Sequence, residues 1–451
     1  MSRILIKGGT IVTMDEKGRI LAPGDLLVER GRIAALAPRL EVEEVGEVID
    51  AAGMIVMPGF VNAHLHTWQT GLRGIAADWT IKEYLRAMHA GLATHFRPQD
   101  IYIANLMGAH AQLNAGTTTL VDWCHNNPTP EHTDAAIDAL RNSGIRALFL
   151  HGSPKPDPKT GQRHFSEIPL PRAEVERVRR ERLSSDDGLV TLGLAILGPG
   201  MSVHEVCLAD FRLARELGLV ASMHVSGGFM VPDGFERLAA EGLLGRHINV
   251  VHANILSDEQ LSLLVSNGVS FTVTAEVEMQ MGFGRPLTGR LRALGAPVSI
   301  GSDIESAMSS DMFTVARMTL QCQRLLDNLD AIAAMGAGPE AITVSSAEAL
   351  RWATIDGARM AGMDHRVGSL VPGKAADIAL LDTRAHGLYP VNDPVASIVL
   401  QAGPANVDTV MVDGVVRKRA GRLLAADLDR RADELAASGA RILTEFRGAQ
   451  S

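Results

Sequence analysis

Cysteine is scarce in this chain: Cys124, Cys207 and Cys322 are odd in number, far apart and without paired spacing, which excludes a disulfide framework and a cysteine zinc knuckle. Long apolar runs are missing, none approaching the roughly 20 residues that span a bilayer. The opening MSRILIKGGTIVTMD carries Arg3 and Lys7 without the apolar core of a signal peptide, so a cytoplasmic protein is expected. Basic excess is missing too. With a formal net charge of -9 and a pI of about 5.9, nothing gathers phosphate backbones, and neither nucleic acid nor an anionic membrane is an expected partner. What remains, at 451 residues, 46% hydrophobic and 21% charged, is an ordinary globular chain, long enough for one large domain and a smaller companion.

Both ends of the chain read as short β-type runs broken by turns. Over 4–55, Gly8-Gly9, Lys17-Gly18 and Arg30-Gly31 are hairpin signals between half-apolar strands. The same style returns in GSLVPGKAADIALLD and VDTVMVDGVVRKRAGRL. Each flank is too short to bury a core, so 1–57 and 369–424 are expected to combine into one small composite β-sandwich. Between them, 58–368 alternates apolar runs with helical stretches. Strands are predicted at 56–63, 117–122, 146–150, 190–197, 220–224, 248–252, 269–274 and 297–301, with helices that start at Ser, Thr or Asp and stop at Gly. This is the content of an α/β fold of the (β/α)8 TIM-type barrel. The doubly wound alternative lacks its Gly-x-Gly-x-x-Gly. The tail, 425–451, reads as an exposed amphipathic helix. Leu423, Leu424, Leu428 and Leu435 there offer a face to a neighbour, and a homo-oligomer, dimer or larger, is expected.

The chemistry gathers around PGFVNAHLHTWQTGLRG, 58–74. Alternate side chains of a strand share a face, so His64 and His66 look the same way. Neutral imidazoles suit zinc, iron, nickel or cobalt, but two ligands are too few. In a barrel the active face lies at the carboxyl ends of the strands. Asp122, His125, His151, His224, His252, Glu276, Glu278 and Asp303 all fall there. A metal-assisted hydrolase needs a cation with an open position and a base for its water. His64, His66 and His224 are assigned as nitrogen ligands, and Asp303 as a carboxylate that touches the metal and accepts the water's proton. His252 is assigned to polarise the group attacked or to stabilise the oxyanion. His89, His95, His110, His132 and His204 fall away from strand ends and are not expected as ligands. Gln69, Arg73, Trp79, Trp123 and His125 are further pocket candidates, and Met279, Met281 and Phe283 form either an adaptable apolar wall or ordinary core. The proline-rich stretch 152–171 is either a lid on the active face or a surface excursion.

Six segments taken in order, PGFVNAHLHTWQTGLRG, AGTTTLVDW, MHVSGG, VVHANILSDEQ, SIGSDI and GSLVPGKAADIALLD, resemble the amidohydrolase superfamily over nearly the whole chain. The resemblance is to its cytosine and guanine deaminase, S-adenosylhomocysteine deaminase and triazine hydrolase branch. It implies one divalent metal, zinc foremost, in a distorted barrel beside a composite sandwich. It implies hydrolytic deamination of an amino-substituted nitrogen heterocycle, a small-molecule substrate, or a related dehalogenation or amide hydrolysis. His64, His66, His224 and Asp303 match the family's metal ligands, and His252 its catalytic histidine.

There is one departure. The branch carries a proton-shuttling glutamate three residues after the strand-five histidine, where this chain has Gly227. TAEVEMQMGFG replaces an Asn-Pro-x-Ser-Asn pattern and brings in Glu276 and Glu278. One of these replaces the acid, with a pKa raised by burial and by Asp303, or binds a substrate amino group; alternatively the reaction needs no ring protonation. Without the usual glutamate, the reading from another class is a catalytically retired barrel that binds a heterocycle.

Overall fold

The computed structural model describes residues 3–450. The two chain ends meet in one nine-stranded mixed sheet. Met54–Pro58 pairs antiparallel with Ile378–Asp382, placing Val56 opposite Leu380, and this ladder joins the amino-terminal strands to the carboxyl-terminal ones. Ile6, Ile11, Leu26 and Val56 share a buried cluster with Ile378 and Met411, so the core exists only when both ends contribute. Lys17-Gly18 and Arg30-Gly31 form turns, the latter with φ of 51° and 79°. Gly8-Gly9 does not. It lies inside the strand Ile4–Val12, where the register slips between Ile6 and Gly9 and a Cβ on Gly9 would fall 2.7 Å from Val56.

The central region is the expected barrel. Its eight parallel strands run in sequence order: Phe60–Leu65, Thr117–Cys124, Arg146–Gly152, Val190–Ile196, Ala221–Val225, Ile248–His252, Ser270–Val273 and Val298–Ile300. Strands sandwiched between helices and barrel interior have no solvent face, and Thr117–Cys124 is buried at every position although it carries three threonines and Asp122. The helices Pro130–Ser143 and His204–Leu217 stop at Gly144 and Gly218, both in the left-handed region, and Asp258–Ser266 starts on a Ser257 capping box. The stretch predicted as one strand at 56–63 is split between the two sheets. Gly59 stands at the break, where the backbone passes so close to Thr118 that a Cβ would overlap its side chain.

The barrel's first and eighth strands meet through a single bridge. Asp303 N donates to His64 O at 2.9 Å, and His66 N donates to Asp303 O at 2.8 Å. Gly301 permits this approach, since its Cβ would fall 2.6 Å from the His64 backbone. Asn62 ties the same seam from behind, donating to Ser302 Oγ at 2.7 Å.

The helix Leu428–Gln450 lies against Pro98–Asn114 of its own chain, with Leu435 and Ile442 buried and Ser438 donating to Asp100 at 2.6 Å. The Leu435 face expected to meet a neighbour is thus consumed internally, while Leu424 stays exposed. Among the described residues no helix is long and apolar enough to cross a membrane.

Candidate metal centre

His64 and His66 end the first barrel strand, His224 lies in the fifth, and Asp303 follows the eighth. Their ligand atoms all lie within 4.8 Å of one another. His64 Nε2 is 3.1 Å from Asp303 Oδ1 and 3.2 Å from His224 Nε2, and His66 Nε2 is 3.4 Å from the same carboxylate oxygen. His66 donates from Nδ1 to the carbonyl of Trp123 at 2.7 Å, which leaves its Nε2 lone pair facing the cluster. Burial holds all three imidazoles below their ordinary pKa, His66 at about 3. Burial alone would raise Asp303, but its hydrogen bond to His64 and the neighbouring rings outweigh that and keep it well below the usual carboxylate range. Neutral nitrogens and one anionic oxygen converging on one point fit a divalent cation of the zinc type.

The backbone around the cluster is strained. His252, Ala253 and Asp303 hold φ of 68°, 62° and 62°, a region that costs a side-chain-bearing residue about 1 to 3 kcal/mol. His252 Nε2 lies 3.7 Å from Asp303 Oδ2, and its Nδ1 faces Thr274 Oγ1 at 3.0 Å and Glu278 Oε1 at 3.4 Å. Glu278 also accepts from Thr274 N at 2.9 Å and Asn254 Nδ2 at 3.2 Å. With a carboxylate as acceptor, the His252 proton sits on Nδ1 and its Nε2 lone pair faces the cluster.

The cluster opens into a cavity of about 360 Å³, walled by Ile81, Leu85, Phe165, Met201, Met230, Val277, Met281 and Phe283. His125, a predicted pocket residue, lines it. Trp68 Nε1 donates to His125 Nδ1 at 3.3 Å, so His125 carries its proton on Nε2 and donates it to His89 Nε2 at 3.2 Å.

The other predicted pocket residues stand elsewhere. Gln69 is buried beside the cavity, donating to Tyr84 Oη and accepting from Ser306 at 2.6 Å. Arg73 pairs with Glu305 at 2.7 Å, Trp79 packs at the core's edge, and Trp123 lies beneath the metal histidines, 4.3 Å from the His224 ring. The helix Ala275–Met281 begins as soon as the seventh strand ends, so Glu276 and Glu278 diverge. Neither lines the cavity: Glu278 stands behind His252, and Glu276 is pushed up to about 7 by burial and then by Asp311. Met279 is exposed.

Most of the apolar wall was absent from the sequence-based set, and so were four residues with more distinctive side chains. His89 was set aside for its distance from any strand end, and only its place in the fold brings it to the cavity. Lys155, His164 and Phe165 come from the proline-rich stretch, whose position on the active face was the one available signal.

Residues 55–417 match the amidohydrolase family. The 5-methylthioadenosine/S-adenosylhomocysteine deaminase of Symbiobacterium thermophilum is 29% identical over 427 residues, 92% of this chain and 93% of its own. The 5'-deoxyadenosine deaminase of Methanothermobacter thermautotrophicus is 28% identical over 433 residues, 93% and 94% of the two chains. The zinc-complexed atrazine chlorohydrolase of Arthrobacter aurescens superposes with a TM-score of 0.85 at 22% identity, over 97% of this chain and 100% of that one. The zinc-bound adenosine deaminase of Xanthomonas campestris does so with a TM-score of 0.81 at 22% identity, over 98% of each. At that identity the superpositions establish a shared fold, and the family match covers the whole barrel, the whole cluster and part of the composite sheet. The chain belongs to the amidohydrolase family.

Proposed function

We propose that the protein is a zinc-dependent hydrolase that removes the amino group of a planar nitrogen heterocycle. One observation carries this reading: three neutral imidazoles and a carboxylate converge at the strand ends and open directly onto an apolar cavity whose size suits a small ligand. The named relatives are deaminases of adenine-containing compounds, which supports the same reaction class here.

A divalent cation held by His64, His66, His224 and Asp303 supplies Lewis acidity and an activated water. The apolar walls hold the ring and exclude bulk solvent. Asp303 accepts the water's proton as the new C–O bond forms, while the Nε2 lone pair of His252, steadied from behind by Glu278 and Thr274, accepts a hydrogen bond from the water's other O–H and orients it for attack. As the C–N bond breaks, the proton passes from Asp303 to the departing nitrogen, and ammonia leaves.

Gly227 favours a second reading. A side chain there would meet nothing within 4 Å, and among the described residues that line the cavity Asp303 is the only carboxylate. A substrate whose leaving group departs without ring protonation, such as a chlorinated heterocycle, suits that arrangement. Zinc-reconstituted protein is to be assayed with aminopyrimidines, pterins, purines and amino- or chlorotriazines. Chelator-sensitive ammonia release supports deamination, and chloride release alone moves the reading to dehalogenation. A zinc-loaded protein inert on every compound overturns both.

A cytoplasmic address belongs to the proposal, since the three buried thiols are free, as a reducing compartment keeps them. So does self-association. Met318, Leu325, Leu329 and Ile332 form an exposed stripe on the helix Met312–Met335. Light scattering is expected to report a dimer or larger, and a monomer at micromolar concentration overturns it.

A further inference from the structure

Among the cavity residues with no part in the mechanism above, one is a buried cation. Lys155 follows the third barrel strand in the segment Ser-Pro-Lys-Pro, so prolines on both sides restrict the backbone that presents it. Its side chain is 6% exposed and lines the cavity beside the metal cluster. The surroundings of its ammonium are poor. Nζ lies 3.7 Å from the sulfur of Met201 and 5.4 Å from the centre of the Trp123 ring. Among the described residues no carboxylate pairs with it. Its pKa is lowered to about 8, with burial the one cause, so it remains a cation at neutral pH.

An ammonium taken out of water without a counter-charge costs several kcal/mol. A methionine would fill the same volume against Met201 and Trp123 without that cost. The charge is therefore matched to something that enters the cavity. Asp303, the carboxylate of the wall, is already committed to the metal cluster. Lys82, the other lysine at the cavity, is exposed to solvent and needs no counter-charge; the one buried ammonium there, with three donors, balances a monoanion, whereas a phosphate dianion calls for a guanidinium or several converging donors.

We propose that Lys155 binds a carboxylate carried by the substrate, so that the heterocycle this protein hydrolyses is an acid. The inference rests on the proposed hydrolase reading and narrows it to amino heterocycles bearing a carboxylate outside the reacting carbon.

The test uses zinc-loaded wild type, Lys155→Met and Lys155→Arg with carboxylate and carboxamide forms of an aminopyrimidine, an aminopurine and an aminotriazine, each pair matched in shape. Affinity is read by calorimetry and turnover by ammonia release. Wild type is expected to bind the acid about tenfold or more tightly than the amide, the worth of one charge-assisted hydrogen bond. Lys155→Met should reduce that ratio to about one, and Lys155→Arg should keep part of it. Because Lys155→Met removes an unpaired buried charge, it should melt no lower than wild type, which checks that it folds. Equal affinity for acid and amide in wild type, no binding of either form in any pair, or an equal loss for both forms in Lys155→Met overturns the inference. Preference without ammonia release leaves Lys155 as the anion site and removes the deaminase reading. Ammonia release without preference does the reverse.

Discussion

Asp303 meets His64 twice: its backbone N–H donates to the His64 carbonyl at 2.9 Å, and its carboxylate lies 3.1 Å from the His64 imidazole. The contact that closes the barrel is thus also half of the metal cluster, so ligand geometry is fixed by strand pairing rather than by loops. Asp303→Asn separates the two roles, because it keeps the backbone bridge and removes the anionic ligand. Even the loss of an outer partner of a metal ligand typically weakens affinity by about 10 to 100-fold. Zinc content after desalting should therefore fall at least about tenfold, with hydrolysis lost. The fold should still melt cooperatively, since a barrel core of this size supplies most of the stability. Full zinc retention by the variant would remove Asp303 from the ligand set.

Glu278 reaches the reaction only through His252. Its two oxygens hold Thr274 N and Asn254 Nδ2, and one of them faces His252 Nδ1 at 3.4 Å. Glu278→Ala should lower kcat by about 10 to 100-fold with little change in KM, the effect expected when a supporting partner is lost. Glu278→Gln, which keeps an acceptor for Thr274 N, should recover part of it. Glu276→Gln should match wild type, because that side chain is outside the cavity wall. Steady-state kinetics decide, and wild-type kcat in Glu278→Ala would strip the residue of its positioning role.

The ligand set was legible because each member ends a strand, and strand ends converge by the geometry of the barrel. His-x-His needs only the period of a strand to share a face. What followed the strands was not legible. Glu278 looked like a cavity residue because the sequence does not reveal that a helix starts at Ala275 and turns this side chain behind His252. Lys155 lies in an irregular segment and His89 ends a short helical stretch that follows no barrel strand, so only the closed fold brings them to the cavity. The carboxyl-terminal helix was recognised from its amphipathic pattern, but a pattern does not say whose surface the apolar face will cover, and Leu435 covers Ile103 and Ala104 of its own chain.

Arg146 joins the barrel to the composite sheet. Fully buried, it donates to Asp377 at 2.8 and 3.0 Å and to Asp413 at 2.9 Å. Breaking a buried pair by removing one partner usually costs about 3 to 5 kcal/mol. Asp377→Asn should therefore destabilise by about 3 kcal/mol, the lower end, because Asp413 still faces the guanidinium. Asp413→Asn should cost much less, its side chain being 57% exposed. Denaturant unfolding measures both, and zinc content should stay unchanged. Equal losses from the two variants would contradict this division.

Asp210 gives the fold a pH dependence of its own. It is buried on the helix His204–Leu217, and its Oδ1 accepts from Leu170 N at 2.9 Å, which fastens the end of the proline-rich segment. Burial raises its carboxyl to about 7, more than this hydrogen bond lowers it. Between the unfolded value near 3.8 and about 7, the folded chain holds a proton that the unfolded chain has released. The stability this group contributes is thus complete below about pH 4 and is lost as pH rises through about 7, on the order of 1 kcal/mol per pH unit. Asp210→Asn keeps an acceptor for Leu170 and cannot titrate. Any pH dependence of zinc binding is common to both proteins and cancels in their difference. In urea unfolding with zinc present, the variant should gain on wild type steadily from about pH 5 to about pH 7 and no further above about pH 8. A difference that stays flat across that range would mean that Asp210 is already ionised in the folded protein, and that the proline-rich segment is fastened to a charged anchor.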